Sequence, residues 1–179
     1  MSDQPAPTIS IATIADAATL AELGSSTFVE SFGHMYSDDD LQAFLSTNHS
    51  QDAYRKALNN PESRIWIAHT EYGSAVGFAS VSPCHLPVPD QPPRAGELGR
   101  LYIRKSHQGV GLGVRLLEHA LAFLDATFDH HYLSVFSENL GAQRLYSRYG
   151  FEIFHEYHFM VGNHADEEFL MRRTRSIAD

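Results

Sequence analysis

The chain has 179 residues, of which 43% are hydrophobic and 20% are charged. This composition excludes a disordered chain, and the length suits a single domain over residues 1–179. No apolar run reaches the ~20 residues of a membrane-spanning helix, and the N-terminus lacks a secretory signal, so we expect a cytoplasmic protein without membrane contact. The net charge of −9 argues against nucleic-acid binding, because arginines cluster only at residues 172–175.

Hydrophobic periodicity and turn residues divide the first half of the chain into strands and helices. A segment with five prolines, residues 83–93, is predicted to be a loop of the kind that borders sites. The elements predicted before it are a strand at 8–13, a helix capped by Asp16 that runs to about Ser31, a helical stretch from Ser37 to about Leu58 with a break around 48–50, and antiparallel strands at 64–69 and 75–81.

The second half predicts a strand–helix–strand crossover, which makes its two strands parallel neighbours. These elements are a strand at 97–103, a helix at 110–126 and a strand at 131–136. Asn139 then caps a helix to about Tyr149, and strands at 151–161 and 168–174 close the chain.

Cys84 is the only cysteine, so the chain cannot form an internal disulfide. It directly precedes His85, which makes a Cys–His nucleophile one interpretation. Catalytic pairs of this kind meet through the fold and not through adjacency in sequence, so a plain loop cysteine is the favoured interpretation.

The crossover carries a glycine-rich loop, Gln-Gly-Val-Gly-Leu-Gly, at residues 108–113. A loop of this kind between a strand and a helix can hold a phosphate, because the first helical turn offers unpaired N–H groups and glycines allow close approach. Val114 breaks the dinucleotide-binding spacing, and the lysine of a P-loop is absent. A flexible strand–helix turn remains the alternative.

The loop matches Q/R-x-x-G-x-G/A, a pattern that resembles the pyrophosphate loop of the GNAT acetyltransferase superfamily. Residues 97–108 are similar to the strand before that loop, and residues 135–151 are similar to the second family motif, with Leu145 in place of the usual aromatic residue. The two motifs cover about residues 95–152. The resemblance implies an α/β (α+β) fold with a mixed, twisted sheet of six or seven strands, flanked by helices and splayed between its central parallel strands.

The resemblance also implies that acetyl-CoA donates an acetyl group directly to an amine. Tyr146 matches the family tyrosine that protonates the departing thiolate, although a packed core tyrosine is the alternative. The arm of the cofactor would pair with the backbone of one strand, and Asn139 would contact it as well as cap its own helix. The implied cofactor contacts are Leu101, Tyr102, Ile103, Gln108, Gly109, Val110, Gly111, Leu112, Gly113, Val114 and Asn139.

Glu97 is the candidate for the base that deprotonates the amine, because some family members carry a strand glutamate at this offset from the loop. A solvated residue at a strand start is the alternative. Eleven histidines invite a metal hypothesis, but His155 and His158 would point to opposite faces of a strand, and we expect no metal. His34, His85 and His119 are weaker candidates for a base, and His119 should lie on the outer face of its helix.

The sequence gives less information about the acceptor. Residues 27–32 and 159–166 resemble the branch of the family that includes bacterial spermidine/spermine acetyltransferases. In that branch Glu30 and residues 38–40 would lie near the acceptor mouth and attract a polyamine, although each is also explained as a solvated helix charge. We expect a small-molecule amine as acceptor. A non-catalytic acyl-CoA sensor, a protein or peptide amine as acceptor, and a longer acyl donor are the alternatives.

Homodimers are common for this fold, and nothing in the sequence indicates an interface.

Overall fold

The computed structural model describes residues 5–174. The last residue of the arginine cluster, Arg175, lies outside this range. Five helices accompany seven strands within it. In chain order the elements are β1 (Thr8–Ile11), α1 (Ala17–Phe32), α2 (Asp38–Asn48), α3 (Gln51–Leu58), β2 (Arg64–His69), β3 (Ala75–Pro83), β4 (Ala95–Ile103), α4 (Leu112–Thr127), β5 (His130–Phe136), α5 (Leu140–Arg148), β6 (Glu152–Val161) and β7 (His164–Thr174).

The strands form one seven-stranded sheet in the order β1-β2-β3-β4-β5-β7-β6. Only β4 and β5 are parallel, because α4 connects them as a crossover, and all other neighbours are antiparallel. The β4–β5 ladder holds four residue pairs and ends at Leu98 opposite Leu133. Beyond that point the two strands separate. The predicted mixed sheet and its splay between the central strands are therefore confirmed.

Helices pack on both faces of the sheet. One apolar cluster contains Leu116, Leu117 and Leu124 of α4 against Leu98 and Leu133 of the central strands. A second cluster on the opposite face joins α1 and α3 to β2 and β3, with Leu20, Leu23, Tyr54, Ile67 and Phe78 at its centre. These two layers fix the central strands from both sides, so the gap between β4 and β5 has a rigid frame.

A bulge in β4 changes the direction of its side chains. Ser80 pairs with Arg100 and Val81 pairs with Leu98, so Gly99 is an extra residue without a partner on β3. Leu98 and Leu101 consequently both pack toward α4, although they are three residues apart. Tyr102 lies on the other face, against the clusters built by α1 and α2.

Several predicted boundaries differ from the structure. Asp16 precedes α1 but does not cap it, because its carboxylate accepts from the backbone N–H of Thr13 at 2.7 Å. The helix after the glycine loop begins at Leu112 rather than at residue 110, since Gly111 has a left-handed backbone conformation. The strand predicted at 168–174 begins at His164 instead. The break at 48–50 is confirmed, and Ser37 and Ser50 cap the two resulting helices. None of the helices within residues 5–174 has both the length and the apolar character needed to cross a membrane.

Candidate active site

The gap between β4 and β5 opens into a cavity of about 450 Å³. It reaches from the splayed strands to the helices α1 and α2 and to the hairpin of β6 and β7. The cavity brings together several residues that the sequence predicted for the site. These are Glu97, Leu101, Tyr102, Ile103, Gln108, Asn139 and Tyr146.

The glycine-rich loop lies at the end of β4, where α4 begins. Gly109 and Gly111 have φ angles of +77° and +82°, and an added Cβ at either position would meet no heavy atom within 4 Å. The backbone N–H groups of residues 109–114 find no acceptor in the described part of the chain. Free N–H groups at a helix N-terminus beside open space suit a phosphate. The loop geometry thus fits the pyrophosphate that the sequence predicted.

The edge of β4 that faces the gap is free beyond Leu98. Residues 101–103 pair with β3 on one side only, because the ladder with β5 has already ended. The side-chain amide of Gln108 donates to the carbonyl oxygen of Ile103 at 3.0 Å and ties the loop to the end of this strand. An extended ligand arm could therefore add to the sheet at this edge, as the sequence predicted for Leu101, Tyr102 and Ile103.

Tyr146 lies on α5 at the opposite wall of the gap and is 8% exposed. Its hydroxyl makes no hydrogen bond to the residues described. Burial raises the pKa of the Tyr146 phenol, and Tyr102 across the gap raises it further. The phenol is therefore protonated at neutral pH, as a proton donor must be. Tyr146 also packs against Phe151, at a ring-centroid distance of 6.2 Å, so it contributes to the core as well.

Asn139 begins α5 and lines the same cavity. Its side-chain oxygen accepts a hydrogen bond from the backbone N–H of Ala142 at 3.1 Å, which confirms the predicted N-cap. The side chain is partly exposed, so a contact with a ligand arm in the gap remains compatible with the cap.

Glu97 lies on β4 near the start of the gap and is partly buried. One carboxylate oxygen, Oε2, accepts backbone N–H bonds from His85 at 2.8 Å and from Leu86 at 3.1 Å. The other oxygen, Oε1, has no hydrogen-bond partner among residues 5–174. The side chain therefore holds the proline-rich segment in place, an anchoring role that the sequence did not predict, and keeps one oxygen available to the cavity.

The acidic residues predicted for the acceptor mouth have structural partners. Glu30 lies 3.5 Å from the guanidinium of Arg104 and accepts the backbone N–H of Lys105 at 3.0 Å. Asp40 accepts the backbone N–H of Asn163 at 2.7 Å, which docks the start of α2 on the β6–β7 turn. Asp38 and Asp39 are exposed on the first turn of α2. None of these four residues lines the cavity between the strands.

The cavity instead contains two acidic residues that sequence reasoning missed, Asp166 and Glu168 of β7. The Tyr36 hydroxyl donates to Asp166, and the Ser134 hydroxyl donates to Glu168. The hydroxyl of Tyr157 lies 2.7 Å from that of Ser134 and 3.3 Å from Glu168. Burial raises the pKa of the Glu168 carboxyl, and the nearby charge of Asp166 raises it further, while the hydrogen bonds from Ser134 and Tyr157 oppose this shift.

The predicted weak candidates for catalysis do not gather at the site. Burial raises the pKa of the Cys84 thiol to about 12, with a further contribution from Glu97, so the thiol stays protonated and is a poor nucleophile. His34, His85 and His119 have exposed side chains, and His119 lies on the outer face of α4 as predicted. Within residues 5–174, no group of three or more His, Cys, Asp or Glu side chains is arranged to hold a metal ion.

Comparison with known proteins identifies this architecture. The family model described as "Acetyltransferase (GNAT) family" matches residues 27–151, and the chain belongs to this family. The predicted family and the predicted class of enzyme, an N-acetyltransferase, are confirmed. An uncharacterized N-acetyltransferase in the pepI 3′ region of Lactobacillus delbrueckii subsp. lactis is 26% identical over 148 residues, which cover 82% of this chain and 85% of that protein.

Two further similarities concern the branch and the fold. The spermine/spermidine N(1)-acetyltransferase of Bacillus subtilis (strain 168) is 36% identical over 84 residues, which cover 45% of this chain and 54% of that protein. The PaiA N-acetyltransferase of Thermoplasma acidophilum, solved in complex with coenzyme A, superposes with a TM-score of 0.73 over 95% of this chain and 99% of its own. At 17% identity, this likeness shows a shared fold.

Proposed function

We propose that this protein transfers the acetyl group of acetyl-CoA to a primary amine. The observation that carries the proposal is the proximity of three features. The free edge of β4 and the protonated phenol of Tyr146 lie at the gap, and the free N–H groups of the glycine loop follow Gln108, which is bonded to the end of β4. Acetyl-CoA would supply the acetyl group as a thioester. The solved relative that contains coenzyme A shares this fold, which supports the same donor here.

In this proposal the donor is held mainly by the main chain. The N–H groups of residues 109–114 bind the pyrophosphate, where the helix dipole of α4 adds to their attraction for an anion. The backbone of residues 101–103 pairs with the pantetheine arm along the open edge of β4. Gln108 fixes the loop to that edge, and Asn139 contacts the arm from the start of α5.

Two side chains handle protons. The hydroxyl of Tyr146 donates a proton to the sulfur that leaves when the C–N bond forms and the C–S bond breaks. Glu97 receives a proton from the attacking amine through its free Oε1, directly or through water. The buried phenol and the carboxylate line the same cavity, which supports the proposal that they act on the same pair of substrates.

The acceptor in this proposal is a small amine, and polyamines are one class to test. The partial similarity to a spermine/spermidine acetyltransferase supports this choice, and so does the negative net charge of the chain. The resemblance of residues 27–32 to that branch adds to the argument, since Phe28 and Phe32 lie beside the cavity.

The experiment that tests the proposal is an assay of thiol release from acetyl-CoA with a panel of primary amines. We expect amine-dependent release for the native chain, and Tyr146→Phe should lower kcat roughly 10²-fold or more. Tyr149→Phe is the matched control, because Tyr149 directly follows the same helix, does not line the cavity, and donates its hydroxyl to Glu118 of α4 instead. Absence of thiol release across the panel would contradict acetyl transfer. Full turnover of Tyr146→Phe at every pH would contradict only the proposed role of the phenol as proton donor.

A further inference from the structure

Two carboxylates lie on the acceptor side of the cavity without an arginine or lysine partner. Asp166 and Glu168 are two residues apart on β7 and therefore point to the same face of the sheet. Asp166 is 5% exposed. No arginine or lysine within residues 5–174 lies within ion-pair distance of either carboxylate. Buried charges in proteins are normally paired, so this arrangement lacks a permanently charged partner.

The hydrogen bonds of this pair are donated by neutral groups. Tyr36 donates to Asp166, and Glu168 accepts from Ser134 and Tyr157. The second oxygen of Asp166, Oδ1, is buried and has no hydrogen-bond partner among the described residues. The Nε2 atom of His164 lies 3.2 Å from this oxygen, but outside hydrogen-bond geometry, and its side chain is 43% exposed. A buried oxygen of Asp166 is thus left for a donor that comes from elsewhere.

The surroundings suit a positive group attached to an apolar body. Phe159 lies opposite Asp166 and Tyr157 lies opposite Glu168 across the β6–β7 ladder. Phe28 and Phe44, with ring centroids 4.6 Å apart, supply further aromatic surface to the cavity. Aromatic faces attract cations as well as apolar groups.

The charges that line the cavity are mostly negative. Glu97, Asp166 and Glu168 face a single basic residue, Arg100. The guanidinium of Arg100 is already engaged, because it donates to the carbonyl oxygen of Asn48 at 2.9 Å and lies 5.4 Å from the ring of Tyr54. A ligand that carries its own carboxylate would therefore meet three carboxylates and this one guanidinium, a balance of charge that disfavours it.

We infer that Asp166 and Glu168 form the binding site for the ammonium group of the acceptor, and that the site selects cationic amines over amino acids and other zwitterionic or anionic amines. This inference rests on the proposed acetyl transfer and adds the chemical class of the acceptor. The two carboxylates supply the negative charge, the hydroxyls of Tyr36, Ser134 and Tyr157 hold them in position, and the aromatic walls receive the carbon chain.

Binding of matched amines tests the site without any need for catalysis. Lysine is 1,5-diaminopentane with an added carboxylate, and tyrosine is related to tyramine in the same way. Isothermal titration of the full chain should give a Kd at least tenfold lower for 1,5-diaminopentane or tyramine than for its amino acid. Equal or reversed affinities within both pairs, or no binding of either amine at millimolar concentration, would overturn the inference.

Substitutions then assign the selectivity to the two carboxylates. Asp166→Asn and Glu168→Gln preserve shape and remove charge, and each should weaken binding of the preferred amine at least tenfold. Glu167→Gln is the matched control, since Glu167 is exposed on the same strand and does not line the cavity. Melting temperatures report whether each variant folds, and the native amine pairs keep the test decisive if one variant does not. Unchanged Kd values in both folded variants would overturn the assignment.

The thiol-release assay separates this inference from the proposed function. If the native chain binds cationic amines selectively but releases no thiol from acetyl-CoA, the proposed function fails and the binding site stands. If thiol is released, and Asp166→Asn and Glu168→Gln raise KM for the amine without changing KM for acetyl-CoA, the proposed function and the inferred binding site are both supported. If release occurs with amino acids in preference to their decarboxylated partners, acetyl transfer stands and the inferred selectivity is wrong.

Discussion

The backbone N–H of His85 donates to the Oε2 atom of Glu97 at 2.8 Å. The next N–H in the chain, that of Leu86, donates to the same oxygen at 3.1 Å. A carboxylate of β4 thereby fixes the segment that follows β3 against the cavity, and only its second oxygen is left to accept a proton. The position of Glu97 thus allows it to anchor the segment after β3 and to accept a proton at the same time.

These two roles of Glu97 make different demands on a substitution. Glu97→Gln keeps an oxygen that can accept both N–H bonds but removes the basicity, so we expect kcat to fall roughly 10²-fold while the fold is retained. The melting temperature should stay within a few degrees of the native value. Steady-state thiol release and thermal unfolding measure the two effects. Glu62→Gln, an exposed change in a turn, is the control. A native kcat in Glu97→Gln would contradict the role of Glu97 as a base and leave only its role in anchoring the segment after β3.

Gly111→Ala should weaken donor binding through the backbone. The φ angle of +82° is unfavourable for an alanine by roughly 1–2 kcal/mol, whereas the added methyl group would meet open space. We expect a tenfold or greater rise in the Kd for coenzyme A, measured by isothermal titration. Gly150→Ala serves as the control, because Gly150 also has a left-handed backbone, with φ +88°, but does not line the cavity, and an added Cβ would lie 3.6 Å from Arg173. That substitution should carry a similar strain and leave the Kd unchanged.

Gly24→Ala should lower the stability of the fold without acting on the glycine-rich loop. A Cβ at this position would lie 2.2 Å from the hydroxyl of Tyr54 and 2.5 Å from Nδ1 of His49, two atoms that hydrogen-bond to each other at 2.9 Å. We expect a loss of roughly 1–3 kcal/mol in the free energy of unfolding, measured by urea denaturation. Combination with Tyr54→Phe removes one clashing atom, so the double variant should lose less than the sum of the two single changes. Strict additivity would argue against this contact.

The buried His49 predicts a loss of stability in acid. It is 3% exposed, and burial, with a smaller contribution from the charge of Arg100, lowers its pKa from 6.5 to about 3. Its native form is neutral and the unfolded chain binds the proton more tightly. The stability from this group is therefore complete above pH 6.5 and declines between pH 6.5 and 3, by at most about 1.4 kcal/mol per pH unit.

Denaturation between pH 4 and pH 8 checks this dependence. His49→Asn should flatten the slope of unfolding free energy against pH below 6.5, whereas His155→Asn, on an exposed face of β6, should leave it unchanged. His131 is also buried with a lowered pKa and acts in the same direction, so part of the slope should remain in the His49 variant. An identical slope in native chain and His49→Asn would contradict the buried neutral state.

Local patterns in the sequence predicted the elements around the glycine loop well. The glycine loop, the strand before it and the Asn139 cap are encoded by residues close together in the chain, and each was found where its pattern placed it. The parallel pairing of β4 and β5 followed from the crossover rule. The anchoring contact of Glu97 was not visible, because it joins β4 to a loop that lacks a regular pattern.

The acidic side of the cavity was less predictable because it is assembled across the sheet. Asp166 fell between the two predicted closing strands, since the last strand was predicted to start at residue 168 and not at His164. The available signal was the alternation of Asp166, Glu168 and Leu170, which places two acids and a buried leucine on one face. Their partners Ser134 and Tyr157 come from two other strands, and only the register of the sheet brings them together.

The extra residue in β4, Gly99, sets the phase of the strand that borders the cavity. With it, Leu98 and Leu101 both pack toward α4, while Tyr102 packs on the other face of the sheet. Without Gly99, the side chains of β4 would alternate regularly between the two faces of the sheet. Leu98 and Leu101 could then not both point toward α4. Insertions or deletions at this position should therefore be incompatible with a working site, and even an added methyl group would press on the Ser80 hydroxyl, 3.1 Å away.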